Sequence, residues 1–138
     1  MKRFLLLGCL ALTPFGCQLP AERTPALPPP LPEKVTSVPY AELLTRARAQ
    51  AMLANEAFYK DSWNDLEDAA KGLEQTARYL PRAGDVPAKH KDTLPVTSAD
   101  LAKEAGRLRE AAAVKDVKKS TASLQKIQLM VREMRLSP

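Results

Sequence analysis

Histidine, cysteine, glycine and aromatic side chains are all scarce in this 138-residue chain, and each shortage removes a class of chemistry. The single histidine, His90, stands between Lys89 and Lys91, which repel a cation, so it reads as a solvated loop residue rather than a metal ligand. With the only histidine read as a loop residue, neither a pair of carboxylates nor a Ser/His/Asp set can be argued, and no enzyme is expected. Aromatic residues make up 5% of the chain and do not interleave with the basic ones, which argues against nucleic acid as a partner. Few glycines and aromatics beside abundant alanine favour helices over strands. No apolar run approaches the roughly 20 residues that cross a bilayer.

What is present begins with Lys2-Arg3, continues as an apolar stretch from Phe4 to Leu12, and ends at Gly16-Cys17. A basic start, an apolar run of roughly 7–15 residues and a small residue at the cut are the parts of an export signal, here residues 1–16. The ending resembles the lipobox of bacterial lipoproteins, in which Gly or Ala precedes a cysteine that is acylated. Gly16-Cys17 matches that pattern, whereas Pro14 and Phe15 depart from it. Leu6-Leu7-Gly8-Cys9 fits better residue by residue but leaves too short an apolar run. Cys17 is therefore the expected lipidation site, with Cys9 as its rival and an ordinary cut or an uncleaved anchor still open. The resemblance implies an exported protein, anchored on the periplasmic side of a bacterial membrane. Cleavage before Cys17 removes Cys9, so a disulfide framework is excluded; an unlipidated thiol leaves a homodimer open.

Residues 17–39 carry Pro20, Pro25, Pro28, Pro29, Pro30, Pro32 and Pro39. Proline fixes φ and removes backbone donors, so an extended polyproline-II tether is expected, reaching roughly 60–70 Å at full stretch.

Residues 40–138 are enough for one small core. Trp63, Leu66, Ala70, Leu73, Ala77 and Leu80 recur at steps of three and four and predict a helix over 62–80, capped by Asp61 or Ser62 and ended by Pro81 and Gly84. Glu67 with Lys71 and Glu74 with Arg78 supply i,i+4 ion pairs on its wet face. Leu44, Ala47, Ala51, Ala54 and Phe58 stripe a helix over 40–59. Leu101, Ala105, Leu108 and Ala112 stripe one over 98–113, opened by Thr97 or Ser98. Val117, Leu124, Ile127, Val131 and Met134 stripe one over 116–135, capped by Asp116. The expected fold is all-α, an antiparallel up-down four-helix bundle whose one long connection spans residues 81–97.

The run Ala51-Met52-Leu53-Ala54-Asn55, the helix from Trp63 to Pro81 and the segment from Asp116 to Arg135 resemble the cytochrome c-prime group and its soluble b-type relatives. Those four-helix bundles hold haem near the end of the last helix through Cys-x-x-Cys-His, with a basic residue four positions after the histidine. Aligned on Arg135, the cysteines fall on Ile127 and Met130 and the iron ligand on Val131. The resemblance thus implies the fold with its haem positions lost, because none of these side chains offers a thiol or imidazole. No cofactor is expected. Met52, Met130 and Met134 carry thioethers that suit Cu(I), yet methionine at helical spacing reads first as core filler.

Charge divides the bundle. Residues 40–80 hold five Lys/Arg against seven Asp/Glu, and residues 81–138 hold twelve against seven. Lys115, Lys118, Lys119 and Lys126 crowd the last helix, where they meet solvent or an acidic protein or anionic lipid. The function expected is a haem-free binding or structural module at the envelope; the alternative is a small-ligand, copper or non-covalent haem protein with an electron-transfer or sensing role.

Overall fold

The computed structural model describes residues 26–31 and 37–135; Cys9, Cys17 and the expected signal lie outside them. The described residues form helices α1 (Tyr40–Tyr59), α2 (Trp63–Tyr79), α3 (Ala88–Lys91), α4 (Leu94–Ala113) and α5 (Val117–Glu133), with a 3-10 turn at Leu80–Arg82 and no strand. Contacts join α1 to α2, α2 to α4, α4 to α5 and α5 to α1.

The seams fall where the spacing placed them. Leu44, Ala47, Ala51 and Ala54 of α1 are buried against Leu66, Ala70, Leu73 and Ala77 of α2, with Leu101, Ala105, Leu108 and Ala112 of α4 and Leu124, Ile127 and Val131 of α5 in the same core. Alanine dominates these faces, so helix axes approach closely and each leucine carries a large share of the apolar burial. Tyr40, Leu43, Gln50 and Ala57 widen the buried face of α1 beyond its expected stripe, because α1 packs on both α2 and α5. Two expected core residues are outside. Val117 is 57% exposed, since it is the first residue of α5 and sits at the rim. Met52 is 72% exposed, because its position one residue past Ala51 turns it off the buried stripe. Trp63 and Phe58 meet edge-to-face at 6.0 Å where α1 hands over to α2.

Helix ends differ more. α4 starts at Leu94, before the expected Thr97 or Ser98, because Pro95 lies in its first turn, where a missing N–H costs nothing. Ser98 is buried and its hydroxyl donates to the Pro95 carbonyl at 3.0 Å, so it is an interior residue and not a cap. Asp116 does cap α5, accepting the Lys119 N–H at 2.9 Å. Ser62 occupies the same position before α2 without a side-chain cap bond. Glu74 pairs with Arg78 as expected and also lies 3.5 Å from Arg109 of α4, whereas Glu67 and Lys71 form no pair.

Two links share one geometry. After α1, Asp61 takes φ 54°, and the Ser62 N–H returns to the Ala57 carbonyl at 2.9 Å. After α4, Lys115 takes φ 56°, and the Asp116 N–H returns to the Ala111 carbonyl at 2.9 Å. Each is a Schellman turn that satisfies orphan carbonyls at a helix end, built here without glycine.

Candidate functional site

Ile127, Met130 and Val131, where the expected resemblance would set a haem motif, pack into the core. Ile127 is fully buried, Val131 is 6% exposed, and Met130 lies half-buried against the same core. Below them the chain ties off the end of α5. The Tyr40 hydroxyl donates to the Met134 carbonyl at 2.9 Å, satisfying a helix-terminal acceptor, and the Tyr40 backbone N–H donates to Asp85 Oδ1 at 2.5 Å. Burial pushes the Tyr40 phenol above its usual pKa, against an opposing pull from Arg48. His90 corrects its reading as a solvated loop residue: it sits on α3, its ring centroid 6.0 Å from that of Tyr40 and its Nε2 3.2 Å from the Arg135 carbonyl. The short α3 places it there, and its spacing in the sequence carried no sign of that partner.

The thioethers do not form a set. Met52 faces solvent, whereas Met134 is 2% exposed in the core. Among the described residues, no group of three or more His, Cys, Asp or Glu side chains is placed to hold a metal ion.

The basic residues separate into two kinds. Lys115 and Lys118 are exposed, but Lys119 Nζ lies 3.3 Å from Asp116 and Lys126 Nζ 3.3 Å from Glu104. Glu104 is 8% exposed and forms a polar centre between α4 and α5: Arg107 donates to Oε1 at 2.5 Å, and the Ser123 hydroxyl donates to Oε2 at 3.4 Å. Burial pushes this carboxyl up, yet the hydrogen bonds and charges of Lys126 and Arg107 together outweigh that and hold its pKa below the ordinary value. A groove of about 350 Å³ runs over this centre. Sequence reasoning missed Glu104, although it falls between Leu101 and Leu108 at seam spacing; Lys126, one position before the buried Ile127, is expected from the sequence to meet solvent, an acidic protein or anionic lipid, with no sign of this partner within the chain.

The other polar centre is neutral. The Thr76 hydroxyl of α2 donates to Gln50 Oε1 of α1 at 2.8 Å, both residues being buried. Gln50 lies over Gly72, where an added Cβ would stand 2.7 Å from its Nε2. A Cβ there would push the Gln50 amide aside, so glycine suits the position through close approach and not through backbone conformation.

Part of the proline-rich stretch lies on this same pair of helices. Leu31 is 6% exposed within the core cluster, its carbonyl accepting from Gln75 Nε2 at 3.2 Å, and the Pro29 carbonyl accepts from Arg46. Val38 is buried as well. Leu27, Pro28 and Pro30 wall a groove of about 570 Å³ along α2 that also reaches Gln50, Glu74 and Arg109. The tether expected over residues 17–39 is thus in contact with the helices over 26–31, because proline keeps its carbonyl acceptors and Leu31 has apolar surface to bury.

No helix among the described residues is long and apolar enough to cross a membrane. No protein-family model, curated protein or solved structure matches the chain.

Proposed function

We propose that this chain is an exported, lipid-anchored four-helix bundle that carries no haem and serves as a binding or structural module at the cell envelope. The observation that carries the haem-free reading is the burial of Ile127 and Val131 in the common core, where a porphyrin would need open space and a nitrogen or sulfur donor. An up-down antiparallel course for α1, α2, α4 and α5 is supported by the two tight Schellman links, since short connections join antiparallel neighbours. Anchoring rests on the residues before Cys17 and on the rule that two or more acyl chains hold a protein stably on a bilayer.

Titrating the full chain with haem, beside a Val131→His variant, tests the reading. Stoichiometric Soret-band binding by the unaltered chain would overturn it, and binding gained only by the variant would reveal a latent pocket. Anchoring is tested separately by Cys17→Ser, which should move the protein from the membrane to the soluble fraction.

A further inference from the structure

Residues 26–31 meet α1 and α2 with matched chemistry. Three consecutive prolines, Pro28, Pro29 and Pro30, have no N–H to offer, so the polar groups this segment presents are chiefly carbonyls. The groove answers with donors from two different helices: Arg46 of α1 reaches the Pro29 carbonyl and Gln75 of α2 the Leu31 carbonyl at 3.2 Å. Between them the Leu31 side chain enters the apolar core. Side-chain donors on the carbonyls and an apolar seat for Leu31 hold the extended chain without the aromatic-lined groove that proline-rich ligands commonly use, and prolines lower the entropy lost on docking.

The fit is incomplete, which makes it reversible. Leu27 remains 41% exposed, Pro29 and Pro30 are exposed, and open grooves flank the segment on both sides, about 450 Å³ along α1 and about 570 Å³ along α2. One buried leucine and two carbonyl hydrogen bonds are a small return for ordering this length of chain.

We propose that α1 and α2 form a receptor for extended proline-rich chain and that its ligand is this chain's own residues 26–31, engaged as a latch. The latch sets the reach of the domain. With residue 26 held, the stretch from residue 17 spans about 30 Å at most; with the latch released, chain up to residue 40 spans roughly 70 Å. This consequence rests on the proposed anchor at Cys17, whereas the latch itself does not.

The test uses the full chain with Cys9→Ser and Cys17→Ser, spin labels at Ala26→Cys and Gln125→Cys, and distance distributions from pulsed electron resonance. A narrow distribution is expected, and it should broaden and lengthen both in Leu31→Asp and in Arg46→Ala combined with Gln75→Ala. The double variant covers the case in which Leu31→Asp fails to fold, as checked by circular dichroism. A broad distribution in the unaltered background, or a narrow one kept by a folded variant, would overturn the latch. Loss of the narrow distance on dilution with unlabelled chain would also overturn it, by showing exchange between copies. Because these variants lack the cysteines proposed for acylation, a failed lipid anchor leaves the result intact. On vesicles, energy transfer from the anchored protein to a bilayer acceptor should then fall when Leu31→Asp releases the latch.

Discussion

The α1–α2 and α4–α5 hairpins are built on the same turn and stabilised at their polar centres by different physics. Asp61 and Lys115 occupy the same left-handed position, and Ser62 and Asp116 follow in the same place. Away from the turn the two diverge. The first hairpin buries the neutral pair Gln50 and Thr76, tucked against Gly72, whereas the second buries Glu104 among Arg107, Lys126 and Ser123. A neutral pair is indifferent to pH and salt; an ionised centre answers to both. The acidic balance of residues 40–80 and the basic balance of residues 81–138 therefore describe more than surfaces, since two of the cations in the second half are held by its own buried carboxylate.

The largest effect should show what the hairpins share. Leu73 and Leu108 are both fully buried, so replacing either with alanine should cost roughly 2–5 kcal/mol, with similar drops in melting temperature. A large loss at one and none at the other would show that the two hairpins do not share one cooperative core.

The next separates them. Thr76→Val leaves Gln50 Oε1 unpaired and should cost about 1–2 kcal/mol by the same amount at every pH. Glu104→Gln should cost about 1 kcal/mol at neutral pH, as its partners are partly exposed. The folded pKa of Glu104 lies below its ordinary value, so its contribution is present above the carboxylate range and is lost as pH falls through the depressed value. Denaturation followed between neutral pH and about pH 3 should therefore fall less steeply for Glu104→Gln than for the unaltered chain. The flattening should be partial, because the Asp116 carboxyl, held low by the Lys119 backbone N–H, titrates in the same direction. An identical acid slope in the two proteins would remove the electrostatic distinction between the hairpins.

The smallest concerns the shared turn. Lysine has no local hydrogen bond that favours the left-handed region, whereas aspartate tolerates it. Lys115→Gly should stabilise by roughly 1 kcal/mol and Asp61→Gly by a few tenths, read as shifts in chemical-denaturation midpoint. Destabilisation by Lys115→Gly would mean that its side chain holds the turn.

Seam residues are legible in the sequence alone: Leu66, Ala70 and Leu73 stand three and four apart, and only one helical face satisfies that spacing. The Asp116 cap was equally readable, because a cap bonds within its own first turn. Met52 was misread because residue type, rather than angular position, decided its place. The sequence places Pro95 in the connection, yet α4 begins at Leu94, because proline is also at home in a first helical turn.

By itself, the sequence determined the four long helices apart from the start of α4, most of their buried stripes, the α5 cap and the lack of thiol or imidazole at Ile127, Met130 and Val131, since all of these depend on residue identity and on spacing within a few turns. Only the tertiary structure decided that Gln50 meets Thr76, that Lys126 meets Glu104, that Tyr40 and His90 close the end of α5, and that Leu31 docks on α1 and α2. Those partners come from different helices or from distant stretches of chain. A hydrogen bond or ion pair between them depends on how helix axes approach and rotate, and local periodicity carries no record of that geometry.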